Sequence, residues 1–214
     1  MLKHSPPDAA RQGKHVYTID DDRPFRLAMS RALEIFGYDV HQFDSANDFL
    51  AHAVLFRPAV LLLDMQMPGL SGVQLQAQLK TSGWQVPVIF ISGDSSVAQG
   101  ISAMKQGALD FLCKPFDLDQ LTAHIETALA LDKQHLQRLE QQQQCQEKLD
   151  RLKPREQDAY GCLSKGFSYA EMMKAMSISL PTAKQYRAAV MRKLEFASLA
   201  ELMAFHHRLT DIQD

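Results

Sequence analysis

The chain is poor in the residues and segments that mark several specialised classes of protein. It has three cysteines in 214 residues, Cys113, Cys145 and Cys162, which are scattered and lack metal-binding spacing. A disulfide framework is therefore not expected, whereas reduced thiols in a cytoplasmic protein are. No apolar run approaches the roughly 18 residues that a membrane-spanning helix needs, so we expect no membrane partner.

The amino terminus lacks the apolar segment of a secretory signal, and residues 1–14 are predicted to form a flexible tail. Neither positive nor negative charge dominates the sequence, because the net charge is only −2. The charges are nevertheless unevenly distributed. Three acidic residues stand together at Asp20–Asp22, and the segment Leu180–Leu194 has four basic residues and no acidic one. These two segments predict two separate functions.

The length suits two domains, and the first is marked by apolar runs that alternate with helical patterns. Short runs rich in Val, Ile and Leu suit strands that are buried on both faces. Strands alternating with helices predict an α/β doubly wound fold with a five-stranded parallel sheet. The five runs are Val16–Ile19, Tyr38–Phe43, Val60–Leu63, Val86–Ile91 and Leu109–Cys113.

Residues that begin and end helices support this alternation. Gly37 is a candidate C-cap for the first helix, and Ser45 is a candidate N-cap for the second. Apolar residues at helical spacing over 97–104 predict a fourth helix, which Gly107 stops. A fifth helix is predicted to begin at about residue 117, after which the sequence has no Gly or Pro until position 154.

The second half of that long helix is a candidate linker. Residues 131–151 are rich in Gln, Lys and Glu, with apolar residues at imperfect heptad spacing. This pattern suits either a solvated spacer helix or a two-stranded coiled coil. Four short helical segments follow over 152–214, two of which begin with capping boxes at Ser168 and Ser198. Four short helices, the third of them basic, predict an all-α helix-turn-helix domain.

Polar residues follow four of the five predicted strands. Asp20 and Asp21 follow the first strand and Asp64 the third. Because the carboxyl ends of parallel strands meet at one edge of a sheet, we expect these carboxylates to lie together. Such a cluster needs a divalent cation, and oxygen-only ligands indicate Mg²⁺, with Mn²⁺ as the alternative. Ser92 and Lys114 follow the last two strands and would complete a receptor for a phosphoryl group on Asp64.

Four motifs, in this order and spacing, give residues 15–130 a resemblance to the flavodoxin-like receiver domain of two-component response regulators. They are VYTIDDD at 16–22, LLLDMQMPGLSG at 61–72, IFISGD at 89–94 and AMKQGALDFLCKPF at 103–116. The resemblance implies that Asp64 accepts the phosphoryl group and that Asp21 binds Mg²⁺ directly. It makes Asp20 a ligand through water and gives the metal the backbone carbonyl of Gln66.

The same resemblance implies a conformational switch. Ser92 and Lys114 would contact the phosphoryl oxygens, and Phe111 stands where the family has a rotating aromatic side chain. The bond between Lys114 and Pro115 is expected to be cis. Asp22, the third acid of its run, is interpreted as a helix-start residue and not as a ligand.

Residues 152–208 resemble the LuxR-type helix-turn-helix of FixJ/NarL-class regulators. The matching pieces are LKPRE at 152–156, AEMM at 170–173, SIS at 177–179 and VMRKL at 190–194. The resemblance makes the third short helix a recognition helix for the major groove of DNA. The residues expected at DNA are Thr182, Lys184, Gln185, Arg187, Arg192 and Lys193. Three positions depart from the family pattern, namely Tyr169, Tyr186 and Ala189.

Together these features predict a response regulator that a sensor histidine kinase phosphorylates on Asp64. Phosphorylation would promote a homodimer that binds promoter DNA, and RNA polymerase is a further candidate partner. One alternative is a phosphatase of the haloacid dehalogenase type, but Gln66 occupies the position where those enzymes need a second Asp, so we expect no enzyme. The other alternative is an interaction protein with a repurposed output domain, which the departures at Tyr169, Tyr186 and Ala189 favour.

Overall fold

The chain divides into two units after Leu136. The structure, a computed structural model, describes residues 3–4, 13–93, 100 and 104–211. Met1–Leu136 form the α/β unit, and Gln137–Asp214 form the helical unit. Within the described ranges, no helix is both long enough and apolar enough to cross a membrane.

The α/β unit is built on parallel strands. They are β1 (Lys3–His4), β2 (His15–Ile19), β3 (Asp39–Phe43), β4 (Val54–Leu55), β5 (Ala59–Asp64), β6 (Val88–Ser92) and β7 (Asp110–Cys113). The main sheet has the strand order β3-β2-β5-β6-β7. Its five strands begin and end within two residues of the apolar runs that predict them, so the five-stranded parallel sheet is confirmed.

A second, two-stranded sheet is not predicted by the sequence. In it β1 pairs with β4 in parallel, with Lys3 opposite Val54 and His4 opposite Leu55. Strands of two residues are too short to give a periodic pattern, which explains why the sequence does not reveal them. β1 falls within the segment predicted as a flexible tail, of which residues 1–2 and 5–12 lie outside the described residues.

Helices connect the strands, and their ends agree with the predicted capping residues. They are α1 (Arg23–Ile35), α2 (Ala46–His52), α3 (Gly72–Thr81) and α4 (Leu118–Asp150). The Ser45 hydroxyl accepts a hydrogen bond from the amide of Asp48 at the start of α2. Gly37 follows the end of α1 with a φ of +84°, a conformation that favours glycine. The helix predicted over 97–104 lies mostly outside the described residues.

Each face of the sheet is covered by its own apolar cluster. On one face, Phe49 and Leu75 of the helices pack against strand residues such as Leu63. On the other face, Leu33 and Ile125 belong to the cluster that also contains residues of β5 and β6. Burial on both faces explains why the central strands are continuous apolar runs without alternation.

An ion pair at the amino end of the sheet fixes α4 to the strands. The Asp132 carboxylate, whose residue is 1% exposed, accepts hydrogen bonds from the Arg57 guanidinium. It also accepts one from the amide of Ala59, at 2.8 Å. The sequence does not predict this pair, because Asp132 lies in the linker and Arg57 in a loop far from it in sequence.

The helical unit contains the last part of α4 and four short helices around one core. The short helices are α5 (Pro154–Ser164), α6 (Tyr169–Met176), α7 (Leu180–Leu194) and α8 (Leu199–Asp211). The predicted capping box of Ser168 with Glu171 is present at the start of α6. Leu163, Val190 and Leu202 are among the fully buried residues at the centre. The four predicted helices are therefore confirmed.

Candidate functional site

Polar residues from β2 and β5 meet at the carboxyl edge of the sheet. The two strands pair in register, with Ile19 opposite Leu63. Asp20 and Asp64 therefore leave the sheet side by side. The strand order reverses at β2, since β3 lies on one side of it and β5 on the other. Such a reversal leaves a crevice at the carboxyl ends of the strands, which is where open α/β sheets bind ligands.

Three carboxylates and one ammonium group lie at this edge. Carboxylate oxygens of Asp20, Asp21 and Asp64 all lie within 4.8 Å of one another. The Nζ atom of Lys114 is 2.8 Å from Asp20 Oδ2 and 3.5 Å from Asp64 Oδ2. One positive charge does not balance three negative charges, so the cluster keeps a net negative charge that favours a cation.

Backbone amides hold two of these carboxylates in place. Gln66 N donates a hydrogen bond of 3.0 Å to Asp64 Oδ1, and Asp22 N donates one of 2.8 Å to Asp20 Oδ1. The Asp22 side chain itself accepts from the amide of Phe25 and forms the N-cap of α1. The interpretation of Asp22 as a helix-start residue is thereby confirmed.

The Asp64 carboxyl has an altered acidity. Burial raises its pKa, and the neighbouring Asp20 carboxylate acts in the same direction. The Gln66 amide and the Lys114 ammonium act in the opposite direction, but burial is the largest influence, so the pKa stays above its ordinary value. The charged form of Asp64 is therefore poorly solvated, and a bound cation would stabilise it.

The predicted switch residues lie beside the acidic cluster. Ser92 is 1% exposed at the end of β6, and its carbonyl accepts a hydrogen bond of 2.8 Å from Lys114 N. The Lys114–Pro115 peptide bond is cis, as expected. Phe111 is half-buried, and its ring lies against Gly100, where an added Cβ would be 3.3 Å from the ring.

Two residues of α1 belong to the site, although their pattern indicates only an amphipathic helix. The ring centroid of Phe25 lies 3.7 Å from the Nζ atom of Lys114, which is a cation–π contact. The Arg26 guanidinium donates a hydrogen bond to the carbonyl of Asp20. The sequence pattern of an amphipathic helix does not reveal such roles. An aromatic residue at the edge of the apolar face fits this pattern whether its ring contacts the core or a cation.

Gly72 is a third contributor that sequence reasoning missed. A Cβ at this position would lie 2.1 Å from the carbonyl oxygen of Asp64. Its own amide donates a hydrogen bond to the carbonyl of Met65, so the start of α3 approaches the end of β5 closely. Only glycine allows this approach.

The donor set fits a hard divalent cation. All the candidate side-chain ligands are carboxylate oxygens, the type that Mg²⁺ prefers. Asp21 and Gln66 also line one open depression beside the cluster, so the predicted carbonyl ligand belongs to the same part of the surface.

Comparisons with known proteins agree with this geometry. Residues 16–126 match the family model of the response regulator receiver domain. The tetrathionate response regulatory protein TtrR of Salmonella typhimurium is 37% identical over 88% of this chain and 89% of that protein. The transcriptional regulatory protein FixJ of Bradyrhizobium diazoefficiens is 34% identical over 94% of this chain and 98% of that protein.

The chain belongs to the response regulator family. The solved structure of the response regulator StyR supports this over both units, because it covers 91% of this chain and 98% of its own at 34% identity, with a TM-score of 0.80. TtrR and FixJ are named as regulatory proteins, FixJ as a transcriptional one, which agrees with the expectation drawn from Gln66.

The basic helix of this response regulator is α7. Lys184, Gln185 and Arg192 are exposed on it. Thr182 lies in its first turn, with Oγ1 2.9 Å from the hydroxyl of Ser179. Of the predicted DNA-contact residues, Lys184, Gln185 and Arg192 are therefore accessible on the surface of α7, and Thr182 is partly accessible.

Arg187 and Lys193 have partners within the helical unit. The Arg187 guanidinium lies 5.3 Å from the ring centroid of Tyr169, one of the positions that depart from the family pattern. Lys193 Nζ is 2.5 Å from Glu156 Oε2 and 3.2 Å from the carbonyl oxygen of Arg151. Lys193 is thus directed toward the interior of its own unit, unlike the exposed Arg192 beside it.

Proposed function

We propose that this response regulator is switched by phosphorylation of Asp64 and controls transcription through its helical unit. The observation that carries the proposal is the position of Lys114, whose ammonium is shared between Asp20 and Asp64 within a cluster of excess negative charge. A carboxylate nucleophile beside a cation site and a lysine is an arrangement suited to phosphoryl transfer.

In the proposed reaction, the phosphohistidine of a sensor histidine kinase is the donor. An oxygen of the Asp64 carboxylate attacks phosphorus, an acyl phosphate bond forms, and the bond from phosphorus to the imidazole nitrogen breaks. The imidazole retains the electron pair of that bond and takes up a proton. Mg²⁺, or Mn²⁺, held by Asp20, Asp21, Asp64 and the Gln66 carbonyl, would supply the positive charge that offsets the charge on the transferring group.

Lys114 would act both before and after the phosphoryl transfer. With a cation held by Asp20, the Lys114 ammonium would lose part of its attraction to that carboxylate and could turn toward Asp64. There it would contact a phosphoryl oxygen, as would the hydroxyl of Ser92. The Phe25 ring contacts the same ammonium, with its centroid 3.7 Å from Nζ.

The switch would begin at Ser92 and end at Phe111. Contact of Ser92 with the phosphoryl group would draw the end of β6 inward, and the Phe111 ring could then leave its position against Gly100. Phosphorylation in this view biases a choice between two side-chain arrangements that both exist beforehand.

The output would be a homodimer that binds double-stranded promoter DNA. The proposed division is a receiver domain over 15–130, a linker over 131–151 that acts as a spacer or coiled coil, and a LuxR-type domain over 152–214. In this domain α7 would enter the major groove, where Lys184, Gln185 and Arg192 are the exposed candidates for contact. The protein would act in the cytoplasm, with RNA polymerase as a further candidate partner.

Phosphorylation is tested by incubating the protein with acetyl phosphate and Mg²⁺ and measuring its intact mass. We expect one phosphoryl group on the wild type and none on Asp64→Asn. Asp22→Asn is the matched control, since asparagine is also a good N-cap and should leave phosphorylation unchanged. Full labelling of Asp64→Asn would contradict the assignment of the acceptor.

Dimerisation is tested by light scattering with and without beryllofluoride and Mg²⁺. A shift from monomer to dimer in the wild type, but not in Asp64→Ala, is expected if phosphorylation drives association. A dimer under all conditions would instead indicate that the linker joins two chains constitutively.

A further inference from the structure

A cleft of about 320 Å³ lies in the α/β unit near the amino ends of β5 and β6. Its walls come from α3, from the segment that leads into β6 and from α4. The acidic cluster lies at the opposite, carboxyl ends of the same strands, so this cleft is separate from the proposed phosphorylation site. Its volume is at the lower end of the range for small-molecule sites in proteins.

A buried amide in the wall of this cleft has an oxygen without a partner. Gln76 of α3 is 6% exposed and lines the cleft. Its Oε1 atom is buried and accepts no hydrogen bond from the described residues. Buried polar atoms in folded proteins are nearly always paired with protein or with ordered water. Because Gln76 lines the cleft, a donor that enters the cleft and displaces the cover over this oxygen would supply its partner.

The rest of the wall is mainly apolar. Leu79 and Trp84 are 4% and 9% exposed, and both face the cleft among its lining residues. Leu131 of α4 lines it as well and is 44% exposed, so its side chain is open to a molecule that enters the cleft. Apolar walls with a few placed polar groups are typical of pockets for small molecules.

We infer that this cleft binds a small, mainly apolar molecule that carries one hydroxyl or N–H donor. The donor hydrogen-bonds to Gln76 Oε1, and the apolar part contacts Trp84 and Leu131. This site does not depend on the phosphorylation of Asp64, so the two can fail separately.

The chain contains its own reporter for the cleft, since Trp84 is its single tryptophan. In a ¹⁵N-labelled full-length protein, the indole N–H gives one resolved signal. The probes are phenol and fluorobenzene, which have similar size but of which only phenol has a donor. We expect a saturable shift of the Trp84 signal with both probes, and about tenfold tighter binding of phenol, the effect of one hydrogen bond to a buried acceptor.

Two pairs of variants make the test specific. Gln76→Leu should bind both probes equally, because it removes the acceptor and leaves an apolar wall. Leu131→Glu should abolish binding of both, whereas Leu139→Glu, an equally exposed leucine of the same helix outside the cleft, should not. Equal affinity of the wild type for the two probes would overturn the role of Gln76. A shift that does not saturate, or that survives in Leu131→Glu, would overturn the site.

Discussion

Lys193 provides a sharp test of the structure, because the sequence predicts it as a DNA contact and the structure gives it a different partner. Its ammonium lies 2.5 Å from the Glu156 carboxylate, and the two side chains are 27% and 10% exposed. Replacing Lys193 with Met keeps the apolar stem and removes the charge. A hydrogen bond between charged groups contributes about 1.5 to 3 kcal/mol. Partial solvent screening lowers the expected loss of unfolding free energy to about 1 to 2 kcal/mol.

The assay compares Lys193→Met with Arg192→Met, the exposed neighbour on the same helix. Lys193→Met should lower the melting temperature of the helical unit by roughly 5 to 10 °C, whereas Arg192→Met should leave it nearly unchanged. Binding to duplex DNA at several salt concentrations gives the second readout. If Arg192 meets a phosphate, its loss reduces the slope of log K against log salt by about 0.9. Loss of Lys193 should not change this slope.

The acidity of Glu156 adds an independent check of the same pair. The hydrogen bond from Lys193 lowers the pKa of the Glu156 carboxyl, and the amide of Lys153 acts in the same direction. A lowered pKa means that the pair stabilises the fold above the ordinary carboxyl pKa and loses this effect as the pH falls. The unfolding free energy of Lys193→Met should therefore decrease less steeply than that of the wild type as the pH falls through the acid range. A reduced salt slope without any loss of stability would refute the structural role of Lys193.

Three further predictions concern the α/β unit. Asp132→Ala should reduce the unfolding free energy in urea by about 3 kcal/mol, because it leaves Arg57 and a buried amide unpaired; Asp132→Asn should lose less. Gly72→Ala should impair phosphorylation by acetyl phosphate more than it impairs the circular dichroism of the fold, since the added methyl would strike the Asp64 carbonyl. Asp64→Asn should raise the melting temperature at pH 7 without divalent cations, because the raised pKa makes the charged form destabilising as the pH rises above about 4. Added Mg²⁺ should stabilise the wild type more than this variant, and equal stabilisation would argue against the metal site.

The sequence predicts the sheet well because buried parallel strands appear in it as short, continuous apolar runs. A strand such as β5 is covered on both faces, so nearly all its residues must be apolar, and the run ends where the polar edge begins at Asp64. Asp20 and Asp64 were predictable for the same reason, since each follows the last apolar residue of its strand. The end of an apolar run locates such residues to within one or two positions.

Contacts between residues far apart in sequence produce no such recognisable pattern. The pair of Arg57 and Asp132 joins a loop to a helix, and neither residue stands out from its neighbours. The roles of Phe25 and Gly72 likewise depend on which backbone passes beside them. Gln76 resembles any polar residue of an amphipathic helix, and only its burial beside a cleft makes it notable.

The contrast between Lys114 and Lys193 suggests a way to separate functional from structural charges at such sites. Lys193 faces one carboxylate, and a backbone carbonyl accepts a second of its three hydrogen bonds, so its charge is balanced within the pair. Lys114 contacts two carboxylates, those of Asp20 and Asp64, and the Asp21 carboxylate lies beside them, so one ammonium leaves the cluster unbalanced unless a cation binds. A lysine that bridges two acids of such a cluster would have reason to change partners if a cation bound, whereas a balanced pair would not. On this argument, Lys114 is the charge expected to move in the proposed switch that runs from Ser92 to Phe111, whereas the ion pair of Lys193 with Glu156 joins α7 to α5 and should keep its partner throughout.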